Sequence, residues 1–250
     1  MSICAAAVLL SAVSLYEQSA ARILAMRFTG PQISYLVVDA ATGRLIGSNW
    51  PEPERPVFVG SLVKPFVARA LPAHARRHCH PERCWQPAGH GDIDFVHAIA
   101  YSCNSYFLDA VAELEGDRLA SVLKDFGLAP PENGTPEARI GLGRSWPVSP
   151  LALAAAYRLL LTDSGASEIR AGMRLCAARG TAHLLRADAL AKTGTAPCSH
   201  AARGRGDGFV VAAWPSAQPK YLLLARVHNT SGAFAARIAG EMLRALRNGR

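Results

Sequence analysis

The stretch "QISYLVVDAATGRLIGSNW", residues 32–50, decides the fold because it holds two β-prone runs close together. The runs cover residues 33–39 and 44–49, and the turn between them ends at Gly43. Two such runs around a short glycine-containing turn predict a β-hairpin. We expect Asp39, which ends the first run, to cap or brace this turn rather than to take part in chemistry.

The C-terminal third of the chain returns to β-prone sequence. Three runs, "ALAKTGTA" (189–196), "GFVVAAWP" (208–215) and "KYLLLARVH" (220–228), are separated by turn residues, and an amphipathic helical pattern closes the chain. Strands near both chain ends with helical sequence between them predict an α+β (mixed α/β) fold. Its antiparallel sheet has about five strands, helices flank it, and a helical subdomain is inserted at roughly 65–185.

The middle of the chain has helical periodicity with one irregular interruption. We predict helices at 94–101 and 104–115, and a further helix that Ser149 caps and Pro150 begins. Residues 72–93 contain Pro, His, Cys and Gly and are predicted to be irregular.

Composition limits the classes of function. Half of the 250 residues are hydrophobic, so the chain can bury a substantial core, and its formal net charge is +8. A basic chain suits nucleic acid or an anionic surface. Here the arginines are scattered and the few aromatic residues are not interleaved with them, so we predict no nucleic-acid binding.

The N-terminal run "MSICAAAVLLSAVSLY" is apolar but short for a membrane-spanning helix. It matches the core of a signal peptide, although it lacks a basic start, and 12–14 offers small residues for cleavage. We expect residues 1–15 to be a signal peptide or a membrane anchor, with a buried helix as the alternative. Residues 16–250 would then form the functional domain in an extracytoplasmic, periplasmic location.

Cysteines raise the question of a disulfide or a metal. Cys79 and Cys84, in "CHPERC", are close enough in sequence to close a small disulfide loop in an oxidising compartment. With His78 and His80 beside them, zinc is the competing interpretation, but no second pair of ligands follows at metal spacing. We therefore predict no metal, and we expect Cys103 to be a small buried side chain.

Three short motifs bear on function: "SLVK" at 61–64, "SCN" at 102–104 and "KTGT" at 192–195. Alone, a serine three positions before a lysine is more often a helix start with a solvated charge. Together, Ser-x-x-Lys, Ser-x-Asn and Lys-Thr-Gly form the active-site set of penicillin-binding proteins and serine β-lactamases.

The resemblance extends beyond the motifs to approximately residues 33–246. "YLVVDAATGRLIG" resembles the hairpin that opens the transpeptidase domain of penicillin-binding proteins, and "GSLVKPF" resembles its nucleophile helix. "CWQPAGHGDIDFVHAIAYSCNSYF" resembles the segment with the second motif, and "LAKTGTA" is similar to the third. The segment "IGLGRSWPVSPLALAAAYRLLLTDSG" is similar to the Gly-rich turn and helix between them.

The first motif has a physical interpretation as nucleophile and base. A serine hydroxyl needs a nearby base, and Lys64 lies one helical turn from Ser61. Lys64 can act as a base only if its pKa is lowered, which burial and the second cation Lys192 would both do. This pair leaves no role for a histidine base, so we assign His90 and His97 structural or surface roles.

The resemblance implies roles for the second motif and for the backbone. Ser102 would relay a proton between Lys64 and the leaving nitrogen, and Asn104 would hold a substrate amide. The backbone N–H groups of Ser61 and Thr195 would form the oxyanion hole.

It also implies that the third motif binds the substrate. Lys192 and Thr193 would attract and bind its terminal carboxylate. Gly194 would leave the strand surface open, because a side chain there would obstruct the substrate.

The family's activity is D,D-transpeptidation, in which the serine attacks the D-alanyl-D-alanine bond of a peptidoglycan stem peptide and an amine takes the acyl group. β-Lactams would trap the serine, and no cofactor is implied. Family members usually have a glycosyltransferase or pedestal domain before the transpeptidase domain, whereas the first predicted strand here begins at residue 33. We therefore expect a glycosyltransferase or other cell-wall synthesis proteins to bring the glycan strands.

Three alternatives stay open on the same fold. A serine β-lactamase would need a base for water, and we find no Glu-x-x-x-Asn signature, since Glu132 and Asn133 are adjacent. A D,D-carboxypeptidase differs only in accepting water instead of an amine. A β-lactam sensor would acylate once without turnover.

Overall fold

The structure is a computed structural model that describes residues 15–72, 74–198, 204 and 206–248. Expectations about residues 1–14 lie outside these residues. In the described part, no helix combines the length and apolar character needed to cross a membrane. The strands are β1 (Ile33–Asp39), β2 (Leu45–Ser48), β3 (Val57–Phe58), β4 (Arg77–Cys79), β5 (Gly91–Ile93), β6 (Pro147–Val148), β7 (Leu190–Ala196), β8 (Asp207–Trp214) and β9 (Tyr221–Val227). The helices are α1 (Leu15–Arg27), α2 (Lys64–Ala70), α3 (Phe95–Ala100), α4 (Asn104–Ala112), α5 (Gly116–Asp125), α6 (Pro136–Arg139), α7 (Pro150–Thr162), α8 (Ser167–Ala178) and α9 (Gly232–Asn248).

A five-stranded antiparallel sheet, in the order β2-β1-β9-β8-β7, joins the two ends of the chain. This confirms the predicted fold class. The β1–β2 turn is braced as expected, because a carboxylate oxygen of Asp39 accepts hydrogen bonds from the backbone N–H and the hydroxyl of Thr42. Strand β7 lies at the other edge of the sheet, so one of its sides is open to a ligand.

Both faces of the sheet are covered, because alternate residues of each strand point to opposite faces. On β1, Tyr35 and Val37 pack with apolar residues of α1 and α9, whereas Leu36 and Val38 pack with the larger cluster that contains α2, α4 and α7. The nucleophile segment and the second motif therefore sit on the same side of the sheet, where the larger core supports them.

Several local predictions need correction. The predicted helix at 104–115 ends at Ala112, and a separate helix, α5, begins at Gly116. The region 72–93 is not wholly irregular, because β4 and β5 pair within it. Short elements of this kind depend on contacts with distant parts of the chain, and local sequence patterns do not contain that information. The division into a helical subdomain at 65–185 stays a prediction.

Candidate active site

The first motif lies in a 3-10 turn, Gly60–Val63, that leads directly into α2. Ser61 was predicted to begin an α-helix. It lies instead in this turn, and α2 begins at Lys64, with Pro65 in its first turn where a missing N–H costs least. Lys64 is fully buried among apolar side chains, and Ser61 lines an open cavity.

The second motif lies in the tight turn between α3 and α4, as predicted. Ser102 has a positive φ of 52°, a left-handed conformation that is uncommon for serine and that often occurs at functional sites. The turn is held by backbone bonds, including one from Cys103 N to the carbonyl oxygen of Ala98. Cys103 then caps α4, whose first residue is Asn104.

The third motif lies on the edge strand β7, as predicted. Lys192 is fully buried, and its Nζ donates to Ser102 Oγ at 2.8 Å and to the carbonyl oxygen of Thr193 at 2.9 Å. Burial lowers the pKa of Lys192 to about 8. Lys192 Nζ therefore lies behind the cavity lining, in contact with Ser102.

Lys64 is connected to the second motif. Its Nζ donates to Asn104 Oδ1 at 2.6 Å and to the carbonyl oxygen of Ser102 at 3.0 Å. Burial, and next the positive charge of Lys192, hold the pKa of Lys64 well below its ordinary value. The predicted lowering of this pKa and both of its predicted causes are confirmed.

The hydroxyl of Ser61 is not hydrogen-bonded to Lys64, its predicted base. Among the described residues, Ser61 Oγ makes no hydrogen bond, and Lys64 Nζ contacts Asn104 and Ser102 instead. Catalytic hydrogen bonds often tighten only when the substrate binds. A neutral lysine has two N–H donors, which these two acceptors use, so its lone pair is left for the proton of Ser61.

Gly194 is needed for a reason that differs from the predicted one. A Cβ atom at this position would lie 2.3 Å from the carbonyl oxygen of Val59 and 3.1 Å from Leu62 Cγ. A side chain there would therefore push β7 away from the nucleophile turn, rather than obstruct the substrate.

The three motifs meet at one open cavity of about 600 Å³. Six of the eight predicted site residues line it, and Lys64 and Lys192 do not. No carboxylate is among its described lining residues. Sequence reasoning missed several lining residues outside the motifs, because only the fold brings them to the cleft. The cavity is lined by Ser61, Trp85, Tyr101, Ser102, Asn104, Leu142, Arg179, Gly180, Thr181, His183, Thr193, Gly194, Thr195, Ser231, Gly232 and Ala233.

Thr193 and Thr195 offer hydroxyl groups near the third motif. Thr193 Oγ1 donates to Thr181 Oγ1 at 2.5 Å, and both residues line the cavity. Thr195 Oγ1 accepts from the backbone N–H of Gly232 at 3.0 Å. The roles of the Ser61 and Thr195 N–H groups in an oxyanion hole stay predictions.

A second cluster lies behind the second motif, and it corrects the expectation that no further ligands accompany the "CHPERC" pair. The potential ligand atoms of Cys79, Cys84, His90 and Cys103 all lie within 4.8 Å of one another. The Sγ atoms of Cys79 and Cys103 are 3.4 Å apart, and His90 Nδ1 is 3.5 Å from the Sγ atoms of both Cys79 and Cys84. No disulfide joins these three cysteines.

The cluster fits a tetrahedral zinc ion. With Zn–S and Zn–N bonds of about 2.3 and 2.0 Å, ligand atoms should lie about 3.5–3.8 Å apart. Four of the six ligand pairs, at 3.4 to 3.9 Å, are close to this spacing, and all six lie within 4.8 Å. Three sulfurs and one imidazole form a soft ligand set of the type that zinc prefers. Burial raises the pKa of the Cys79 and Cys103 thiols, so binding would displace their protons.

The signal for this cluster was present in the sequence but spread over 25 positions. His90 lies between two glycines, Gly89 and Gly91, that have φ values of 68° and 64°. This left-handed backbone, which glycine adopts readily, turns the chain so that His90 faces the cysteines. The fourth ligand, Cys103, lies inside the second catalytic motif.

Comparisons with known proteins identify the family and the fold of the chain. The model of the penicillin binding protein transpeptidase domain matches residues 78–247. Peptidoglycan D,D-transpeptidase MrdA of Haemophilus influenzae is 33% identical over 91 residues, a match that covers 28% of this chain and 13% of that protein. The matched part thus spans about an eighth of the relative's length.

Solved structures show the same fold. The chain superposes on the crystal structure of Pseudomonas aeruginosa PBP2 in complex with WCK 5153 with a TM-score of 0.74 and 18% identity, covering 95% of this chain and 74% of that one. A Helicobacter pylori PBP2 in complex with MreC gives a TM-score of 0.74 at 18% identity, covering 93% and 62% of the two chains.

Proposed function

The chain belongs to the penicillin-binding protein transpeptidase domain family, and we propose that it cross-links peptidoglycan as a serine D,D-transpeptidase. The observation that carries this proposal is the buried lysine pair. Lys64 and Lys192 both bind the second motif, and both have lowered pKa values. We propose that the reaction takes place outside the cytoplasm, where peptidoglycan lies.

Acylation begins with proton transfer from Ser61 to Lys64. The Ser61 oxygen forms a bond to the carbonyl carbon of the penultimate D-alanine, and the oxyanion is stabilised by backbone N–H groups. The C–N bond to the terminal D-alanine then breaks. The proton taken by Lys64 passes through Ser102 to the leaving nitrogen, and Lys192 orients the Ser102 hydroxyl by its 2.8 Å hydrogen bond.

Deacylation completes the cross-link. An amine from a second stem peptide attacks the acyl carbon, the Ser61 ester bond breaks, and a proton returns to Ser61 through the same groups. The terminal carboxylate of the donor accepts hydrogen bonds from the hydroxyls of Thr193 and Thr195, with the charge of Lys192 behind them. Thr193 Oγ1 would then accept from Thr181 Oγ1, the reverse of their bond in the free protein.

The lining of the cleft argues against a β-lactamase. A β-lactamase needs a base that activates water, and carboxylates often supply it. Because no carboxylate is among the described lining residues, we propose transpeptidation in preference to β-lactamase activity. The alternatives of a D,D-carboxypeptidase and of a non-turnover sensor are distinguished by experiment.

The experiment incubates the full chain with a D-alanyl-D-alanine stem peptide, with and without an acceptor amine. We expect D-alanine release together with cross-linked product, and neither product from Ser61→Ala. Free acid as the only product would indicate a carboxypeptidase, and acylation by penicillin without peptide turnover would indicate a sensor. Rapid release of hydrolysed penicillin would indicate a β-lactamase.

For partners, we propose that other cell-wall synthesis proteins position the domain and bring its glycan strands. The H. pylori relative was solved in complex with MreC. β-Lactams should act as covalent inhibitors, because the nucleophile and its base are those of the family.

We also propose that Cys79, Cys84, His90 and Cys103 hold one zinc ion with a structural role. Four protein ligands fill a tetrahedral zinc site, so no position is left for water or substrate. The ion would link β4 and the loop after it to Cys103, which directly follows Ser102. This link would hold the second motif in position.

Metal analysis of the purified full chain tests this site. We expect one zinc per chain, loss of zinc in Cys103→Ser and His90→Ala, and retention in Cys176→Ser, which alters a buried cysteine outside the cluster. Replacement by cobalt should give thiolate charge-transfer absorption. A chain purified without zinc that takes up neither metal would contradict the proposal.

A further inference from the structure

Trp85 connects the cysteine–histidine cluster to the cleft. It directly follows the cluster residue Cys84, and its side chain lines the same cavity as Ser61 and Ser102. Half of Trp85 is exposed. Of the exposed large hydrophobic side chains in the described part of the chain, it is the one that lines this cavity.

The indole is held in a defined orientation. Its N–H donates to the carbonyl oxygen of Tyr101 at 3.0 Å. The ring of His90 lies between the two aromatic side chains, 5.6 Å from Trp85 and 5.7 Å from Tyr101, centroid to centroid. The position of Trp85 therefore depends on His90, whose Nδ1 faces Cys79 and Cys84.

The position of Trp85 relative to the substrate follows from its contacts. Tyr101 precedes Ser102, and the Ser102 hydroxyl accepts a hydrogen bond from Lys192 on β7. Trp85 thus lies on the second-motif side of the cleft, while β7 forms the other side. In a peptide extended along an edge strand, successive side chains point to opposite faces of the sheet, so alternate ones point towards the face that the second motif covers.

We propose that Trp85 is a substrate-contacting residue that packs against aliphatic groups of the peptide acyl donor, and that the cysteine–histidine cluster, with the proposed zinc ion bound, fixes its orientation through His90. An indole with an anchored N–H and an exposed ring offers a large apolar surface to a ligand at little cost in side-chain entropy. This inference rests on the proposed function, because it takes the stem peptide as the ligand.

The first test compares Trp85→Ala with Trp85→Phe in turnover of a soluble stem peptide. We expect the KM of Trp85→Ala to rise by about tenfold, the loss expected from exposing one large apolar contact, with kcat changed less than about twofold. Trp85→Phe should recover most of this loss. Leu159→Ala, which removes an exposed side chain of α7, should leave KM unchanged.

A second readout does not use activity. Removing the metal with a chelator should shift the tryptophan emission of the wild type, and the shift should be largely absent in Trp85→Phe. Zinc content should stay at one per chain in both Trp85 variants, which separates loss of the ring from loss of the cluster. An equal emission shift in Trp85→Phe would overturn the link to the metal.

The outcomes separate this inference from the proposed function. If penicillin fails to label Ser61 in the wild type, the transpeptidase proposal is wrong. If Ser61 is labelled and peptide turns over, but Trp85→Ala has the KM of the wild type, only the role of Trp85 is overturned.

Discussion

At the scale of the residue, the proposed chemistry depends on the protonation states of two buried lysines, Lys64 and Lys192. Lys64 must be neutral to accept the proton of Ser61, and the charge of Lys192 helps to keep it neutral. The sequence motifs predict that the two lysines lie close together. They also predict the lowered pKa of Lys64, because a nearby positive charge disfavours protonation. It does not predict that Asn104 and the Ser102 carbonyl would accept both N–H groups of Lys64.

Replacing the base tests the role of Lys64. Lys64→Met keeps an unbranched side chain in the buried site but has no proton acceptor. We expect its rate of acylation by a fluorescent penicillin to fall by about 10²–10⁴-fold, the usual contribution of a general base. Lys124→Met, which alters an exposed lysine, is the matched control. A Lys64→Met rate within a factor of ten of the wild type would contradict this role.

The pKa of Lys192 predicts a pH dependence of binding. A lysine is cationic below its pKa and neutral above it, so attraction for the donor carboxylate is present below pH 8 and is lost above it. Between pH 7 and 9 the charged fraction falls from about 90% to about 10%, so KM should rise by up to about tenfold. A peptide whose terminal carboxylate is replaced by an amide should show no such rise. A pH-independent KM for the carboxylate peptide would count against this assignment.

At the scale of the element, strand β7 and the 3-10 turn that carries Ser61 form one packed unit. Close approach of the two backbones at Gly194 sets the distance between the third motif and the nucleophile. The strands were predictable because their apolar runs are long and bounded by turn residues. The cysteine–histidine cluster was not, because its four residues come from β4, the loops after it and the residue before α4, which only the tertiary fold brings together.

Gly194→Ala measures this packing. With its Cβ atom 2.3 Å from a backbone oxygen, the variant should lose about 1–3 kcal/mol of unfolding free energy and should acylate more slowly, because β7 must move. Urea denaturation gives the free energy. The matched control is Gly134→Ala, whose Cβ atom would meet nothing within 4 Å and which should change stability by less than about 1 kcal/mol. Equal stabilities of the two variants would show that β7 has room at this position.

At the scale of the whole molecule, the sheet built from both chain ends carries the third motif, and the helical region between them carries the first two. The cleft lies where these parts meet. The sheet from both chain ends and the helices between them were predictable from the order of strand-like and helix-like sequence. The residues that complete the cleft outside the motifs, such as Trp85 and Arg179, were not, because they reach it through loops and helix ends whose paths depend on distant packing.

The most direct test of the central claim is intact-mass and peptide-mass analysis of the full chain after reaction with penicillin. The account predicts one covalent adduct per chain, located on Ser61, and none in Ser61→Ala. An unmodified wild-type chain, or an adduct that persists in Ser61→Ala, would contradict the claim that Ser61 is the nucleophile of this site.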